Sequence, residues 1–315
     1  MKRVALLLLF VALTGARLLA QGSAAGANSS KAPPSDSQNR ITVTVELVNV
    51  LTTVTDKKNH LVADLTKDDF KVYEDGKPQE IRYFSRETDL PLRIGLLIDT
   101  SNSVRGRLSF EQDAAIDFLS TAIRPGKDLA FAVSFDAEPQ LIQDYTDDIE
   151  KLSEAIRGLK AGGVTSLFDA IFFACKEKLL FFPPPEPYLR RVMIVVSDGQ
   201  DNRSERTQDE AISMAERSEV TIFAISTNRS GAEAKGDKTL RTLAGTTGGR
   251  AFFPFEVGDL AASFQQIANE LRSQYSLAYV STNSSHDGTF RKVTIKAVND
   301  TMHVRAKEGY FSLPR

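Results

Sequence analysis

Apolar Ile41, Val43, Val45 and Leu47 alternate with Thr42, Thr44 and Glu46, the period-two pattern of a half-buried strand. The apolar phase then moves to Val48, Val50 and Val54, which predicts a bulge near Leu47-Val48. The same period returns at Phe70–Tyr73 and Ile81–Phe84, and Glu74-Asp75-Gly76-Lys77-Pro78 between them reads as a hairpin turn. Beyond Pro91 the pattern changes to continuous apolar runs, Ile94–Ile98, Leu129–Phe135, Val192–Val196 and Val220–Ile225, as in strands buried on both faces. Helical periodicity intervenes at about Arg107–Ile123, Asp147–Gly158, Leu167–Leu180, Thr207–Ser218, Lys238–Gly245 and Leu260–Arg272. This alternation predicts an α/β fold with a doubly wound, Rossmann-like, mostly parallel sheet. From Tyr275 the β period resumes, at Tyr275–Val280, Phe290–Ala297, Met302–Ala306 and Gly309–Phe311. The expected organisation is an α/β domain over residues 91–273, inserted in a small β-sandwich-like domain that residues 40–90 and 274–315 form by pairing.

The first residues bear on the compartment. Lys2 and Arg3 precede the apolar run Val4–Leu13, and Leu18-Leu19-Ala20 offers a cleavage point, so residues 1–20 read as a secretory signal peptide. The run is short for a membrane span, which needs about 20 apolar residues, and no stable transmembrane segment is expected after cleavage. Residues 21–39 are mostly Ser, Ala, Gly, Pro and Asn with almost no large apolar side chain, a linker that cannot offset its own chain entropy. Cleavage takes the net charge from −2 to −5, which gives no footprint for nucleic acid. The expected location is exported, either periplasmic or secreted.

Composition narrows the chemistry. The single cysteine, Cys175, excludes an intrachain disulfide and, lying among Ile171, Phe172, Phe173 and Ala174, reads as a buried hydrophobe. Three histidines, His60, His286 and His303, all fall in the β flanks, which leaves little for a zinc site or for general-base catalysis.

In an open α/β sheet, ligands bind beyond the carboxyl ends of the strands. After Ile94–Ile98 comes Asp99-Thr100-Ser101-Asn102-Ser103, and after Val192–Val196 comes Ser197-Asp198-Gly199. Gly162-Gly163-Val164-Thr165-Ser166, ahead of the Leu167 helix, brings hydroxyls to the same rim. Side chains at positions 1, 3 and 5 of a sharp turn converge, so Asp99, Ser101 and Ser103 can share a cation, with Thr165 supplying another oxygen and Asp198 reaching the ion through one of its waters. Ser166 is the reserve donor if the loop is shifted by one residue. An all-oxygen set without histidine suits Mg2+, with Mn2+ or Ca2+ as alternatives, and an incomplete shell leaves a position for an external carboxylate.

Asp99-x-Ser101-x-Ser103 with Thr165 and Asp198 resembles the metal-ion-dependent adhesion site of von Willebrand factor type A domains. Leu65-Thr66-Lys67-Asp68-Asp69-Phe70-Lys71-Val72-Tyr73-Glu74-Asp75-Gly76 and Arg305-Ala306-Lys307-Glu308-Gly309-Tyr310-Phe311 are similar to the flanks of an exported bacterial family of such proteins, abundant in acidobacteria. The resemblance implies a non-catalytic, divalent-cation-dependent binding module whose partner is a protein or surface polymer presenting a carboxylate. It also implies loop rearrangement and sliding of the last helix, here Leu260–Arg272, on binding.

Each feature has a plainer reading. Asp99 or Ser103 could serve only as a helix cap. Asp201, Asn202 and Asp136 could tune the site, but a solvated loop residue is the simpler reading of each. Glu205, Arg206, Asp209 and Glu210 open a helix, where acidic residues suit the dipole. The stretch from Phe181 to Tyr188, rich in proline, reads as a stiff connection. The rival functions are a structural envelope protein whose ion only braces the fold, and a metal-dependent hydrolase. A haloacid-dehalogenase-type hydrolase wants a second carboxylate where Ser101 stands, and neither Gly-x-Ser-x-Gly nor a nucleotide-binding glycine motif occurs.

Overall fold

The structure is a computed structural model that describes residues 47–86, 90–180, 189–228 and 235–312. The expected signal peptide, the linker, the alternation over 41–46 and the proline-rich stretch 181–188 lie outside the described residues. Four strands come first: β1 (Leu47–Thr55), β2 (Phe70–Glu74), β3 (Lys77–Gln79) and β4 (Ile81–Arg86). The α/β portion runs β5 (Leu92–Asp99), α1 (Leu108–Ala122), β6 (Leu129–Phe135), β7 (Pro139–Thr146), α2 (Ile149–Arg157), α3 (Leu167–Phe173), β8 (Arg190–Ser197), α4 (Gln208–Arg217), β9 (Val220–Ser226), α5 (Lys235–Thr246), β10 (Ala251–Phe252) and α6 (Val257–Leu271). It closes with β11 (Tyr275–Val280), β12 (Phe290–Ala297), β13 (His303–Ala306) and β14 (Gly309–Phe311).

The central sheet has the order β10-β9-β8-β5-β6-β7, parallel throughout except for the β6–β7 pair. All eight residues of β5 are buried, because helices cover both of its faces. Alternate residues divide between two cores. Ile94, Leu96 and Ile98 pack with α1, α2 and α6, whereas Leu97 packs with Phe131 and with α3, α4 and α5. Gly95 leaves the room in which the Phe131 ring lies, since a Cβ there would stand 2.6 Å from the ring's Cζ.

The flanking strands form two antiparallel four-stranded sheets, ordered β13-β1-β11-β4 and β14-β12-β2-β3. One apolar cluster, including Val50, Phe70, Val72, Tyr275, Leu277 and Val293, draws on both. Strands from before the α/β portion therefore pair with strands from after it. Within this platform Glu74 and Arg291, 2% and 1% exposed, face each other at 3.6 Å. The Glu74 carboxylate also accepts hydrogen bonds from Tyr279, Tyr310 and Ser281.

Several sequence expectations are corrected. The hairpin partner of β2 is Lys77–Gln79, and Ile81–Phe84 belongs instead to β4 in the other sheet, beside β11. β1 keeps one register against β11 from Leu47 to Thr52, without the expected bulge, and the register shift lies between Ala278 and Tyr279 in the β4–β11 pairing. The long helix expected over Leu167–Leu180 is α3 followed by a π-helical stretch, Ala174–Leu179, in which Cys175 is buried. β7 was not expected at all; its mixed, partly exposed residues carry no apolar run because it is an antiparallel edge strand.

Candidate functional site

β5 and β8 are neighbours in register, Ile98 opposite Val196, so their carboxyl ends set Asp99 beside Ser197-Asp198. Asp99 is fully buried. One of its carboxylate oxygens accepts the Ser197 hydroxyl at 2.7 Å and the other accepts the Ser101 amide at 2.8 Å. The chain then turns through a short helical turn, Asn102–Val104, in which the Ser101 and Ser103 hydroxyls lie 2.9 Å apart. Ser101 stands at the N-cap of that turn but its side chain makes no cap hydrogen bond, so capping does not account for it.

Two other loops are stitched to this turn. Gly162 donates to the Thr100 carbonyl at 2.7 Å, and the Asn102 amide and side chain both donate to the Gly163 carbonyl. Thr165, 4% exposed, donates its amide to the Asn202 side chain at 3.0 Å and accepts the Asn202 and Arg203 amides at 3.1 Å. Asp198 accepts the Gln200 amide at 3.0 Å. Gly199, at φ +75°, lets the next residues pass beneath α5, where a Cβ would stand 2.2 Å from the Gly236 carbonyl oxygen. The structure thus brings the loops that carry Asp99, Ser101, Ser103, Thr165 and Asp198 to one rim.

The plainer readings of the neighbouring polar residues are revised in part. Asn202 holds Thr165 in place, and Asp201 accepts the Phe168 amide and the Ser204 amide and hydroxyl, so both are built into the loop. Asp136 lies against Gly163, where a Cβ would meet its side chain at 3.1 Å. Glu210 forms a capping box with Thr207, as a structural role requires. Ser197 and Glu111 were not singled out from sequence. Ser197 acts across 98 residues of chain, but Glu111 leaves a signal, a charge on the apolar stripe of its helix.

Burial pushes the Asp99 carboxyl up to about 6; hydrogen bonds from Ser197 and Ser101 oppose this and the Asp198 charge adds to it. The partners of Asp99 and Asp198 are hydroxyls and amides, with no basic side chain among them. Ser166, beside Thr165, is fully buried and its hydroxyl has no hydrogen-bond partner. Among the described residues no three His, Cys, Asp or Glu side chains come together to hold an ion. A cation here must therefore draw on hydroxyls as well as the two carboxylates, a donor set that fits a hard divalent ion. A cavity of about 460 Å3, lined by Phe168, Gly199, Gln200, Asp201 and Lys235 among others, adjoins the Asp198 side of the rim.

The sequence profile described as von Willebrand factor type A domain matches residues 94–270, more than half of the chain. The human von Willebrand factor A domain-containing protein 3B is 26% identical over 165 residues, 51% of this chain and 12% of that protein. The chain therefore spans only a small part of that relative's length. The structure of proximal thread matrix protein 1 from the mussel byssus, with a zinc-occupied MIDAS motif, aligns with a TM-score of 0.50 at 17% identity, covering 63% of this chain and 49% of that one. The vWF domain of the type V pili tip protein Mfa5 from Porphyromonas gingivalis aligns with a TM-score of 0.49 at 17% identity, over 57% of this chain and 94% of that one. With its central sheet, its covering helices and the profile match over the same residues, the chain belongs to the von Willebrand factor type A domain family.

Proposed function

We propose that this chain is an exported, non-catalytic binding module that captures a carboxylate of a protein or surface polymer through a divalent cation, with Mg2+ the expected ion. The observation that carries the reading is the pairing of two acids, buried Asp99 and nearly buried Asp198, on a rim whose partners are hydroxyls and amides. Asp99 and Asp198 supply negative charge; Ser101, Ser103 and Thr165 supply neutral oxygens. Ser197 and the Ser101 amide orient Asp99, and Asn202 fixes Thr165. When bound, the ion supplies a Lewis-acidic position that an outside Asp or Glu side chain can fill. Val164, 42% exposed beside Thr165, offers apolar contact to the same partner. The mussel protein whose structure has zinc in its motif makes Zn2+ a competitor to include.

In this reading residues 1–20 are a cleaved leader, 21–39 a tether, 91–273 the binding domain, and 40–90 with 274–315 its platform. Among the described residues no helix is long and apolar enough to cross a membrane. Calorimetric titration of Mg2+, Mn2+, Ca2+ and Zn2+ into metal-free protein, with Asp99→Ala and Thr165→Ala alongside, tests the site. Saturable binding lost in Asp99→Ala, with metal-dependent capture of an immobilised acidic peptide, is the expected result. A folded wild-type protein that binds no divalent ion refutes it. The mass of the protein recovered from the periplasm and from the medium tests the leader.

A further inference from the structure

Glu111 is 1% exposed, and neither oxygen of its carboxyl group has a hydrogen-bond partner. It sits on α1 between Leu108 and Ala115, at the helical spacing that puts all three on one stripe. Leu108 and Ala115 share a core cluster with Ile98 and Val196, the residues near the ends of β5 and β8 that lead into Asp99 and Asp198. The stripe that carries Glu111 thus faces the sheet just beneath the rim. Gln112, its polar neighbour on the helix, gives its amide to the Ile156 carbonyl at 2.7 Å. The fold satisfies one buried polar side chain and leaves the adjacent one unsatisfied.

As a packing element Glu111 is unfavourable, since burying a polar group without a partner costs stability. Burial pushes its carboxyl up to about 8, Arg107 opposes this, and the charges of Asp99 and Asp198 add to it. Both rim carboxylates therefore lie within its electrostatic reach. The buried, unpartnered hydroxyl of Ser166 is a second such group, on the Thr165 side of the same rim. Two unsatisfied buried groups, on elements that converge on one edge, point to a species that satisfies both.

We infer that Glu111 is a further residue of the cation site, an outer carboxylate that holds the ion through its hydration shell from the α1 side. The inference rests on reading the rim as a cation site. It makes Glu111 a positioning residue that the five-residue pattern does not include. It also gives a reason for an acid on an apolar stripe: the group costs the metal-free fold stability and serves the metal-bound one.

The test uses full-length mature protein with Glu111→Gln, which keeps the shape, and Glu111→Met, which removes the polar group. Thermal unfolding in EDTA and calorimetric titration with Mg2+ are measured on both, beside wild type and Asp99→Ala. The expected result is a melting temperature in EDTA equal to or above wild type, with the Kd for Mg2+ raised roughly 10- to 100-fold, the usual effect of removing an outer partner. Wild-type affinity in a folded Glu111 variant overturns the inference, as does failure of both variants to fold, which would make Glu111 structural. Loss of Mg2+ binding in Asp99→Ala with both Glu111 variants unaffected sinks this inference alone. No Mg2+ binding by wild type sinks the cation-site reading and the inference together.

Discussion

Asp99→Asn is expected to make the metal-free protein more stable while abolishing its affinity for the ion. Burial raises the Asp99 carboxyl from 3.8 to about 6, and at about 1.4 kcal/mol per pH unit this is about 3 kcal/mol of stability lost by ionising it in the folded state. Asparagine removes that charge but offers one acceptor oxygen where the carboxylate has two, so either the Ser197 hydroxyl or the Ser101 amide loses its acceptor, a loss of about 1 kcal/mol. The net gain is about 2 kcal/mol. For a chain of this size that is a rise of roughly 4–8 °C in melting temperature. The sign follows from the direction of the shift. The folded state holds the Asp99 proton up to about pH 6, whereas the unfolded chain releases it near 3.8. Wild type therefore loses this contribution as pH rises through that window, and the loss is constant above it. The variant should exceed wild type by about 2 kcal/mol at pH 7.5 and, once the charge contribution has gone near pH 4, fall below it by about the 1 kcal/mol of the lost hydrogen bond. Differential scanning calorimetry in EDTA across that range measures it. Mg2+ at 100 times its Kd should then stabilise wild type by about 2.7 kcal/mol and leave the variant unchanged. An Asp99→Asn protein that melts below wild type in EDTA at pH 7.5 refutes the reasoning.

Asn202→Ala leaves the Thr165 amide without its partner; urea unfolding should show a loss of about 1–3 kcal/mol, and calorimetry a Mg2+ affinity at least about tenfold weaker. Gly199→Ala puts a Cβ against the Gly236 carbonyl at a residue with φ +75°. It should cost about 1–3 kcal/mol and weaken Mg2+ binding by displacing Asp198, both readable on the same preparation. Glu74→Gln leaves the Arg291 guanidinium buried without its counter-charge. Denaturant titration should show about 3–5 kcal/mol of destabilisation, whereas an unchanged midpoint would show that Arg291 finds another partner.

Much of the architecture was legible because burial writes itself into periodicity. Tyr275–Val280, Phe290–Ala297 and Gly309–Phe311 coincide with the observed strands, and the four continuous apolar runs lie within β5, β6, β8 and β9. β3 escaped because three residues beginning Lys77-Pro78 are too few to show a period. Ile81–Phe84 then looked like the hairpin partner, although it pairs with β11, almost 200 residues further on. The five rim residues stand out in sequence because their loops follow a strand or precede a helix, where short polar residues interrupt the apolar pattern. Ser197 and Asn202 carry nothing distinctive in sequence. What they do depends on β5 and β8 being neighbours and on three loops meeting, which only the tertiary fold decides. Glu111 was visible in principle, because an acid between Leu108 and Ala115 breaks an apolar stripe and so asks for a partner.

The connections to the platform decide which way the rim faces. β4 enters the central sheet at Leu92, the start of β5, and α6 leaves it at Leu271, whose carbonyl accepts the side chain of Arg190, the first residue of β8. Both links therefore lie at the amino end of the parallel strands. Glu270, beside Leu271, accepts the Thr53 hydroxyl of β1 at 3.2 Å and pairs with Arg305 of β13, which fastens that end to the platform. Asp99 stands at the other end of β5, seven steps from Leu92 or about 23 Å away at the rise of a strand. A site beside the platform would be shielded by it, whereas a site at the far end is open to a large partner. The placement leaves the rim clear of the platform, and it makes a concrete demand on the platform. Because Glu270 is 3% exposed and its charge is matched by Arg305, Arg305→Met should loosen the junction and lower the melting temperature. The Mg2+ affinity of the rim should stay within about twofold, since sites this far apart with no shared partners behave additively. A large change in Mg2+ affinity would show that the junction and the rim are energetically coupled, and the platform would then be part of the binding mechanism.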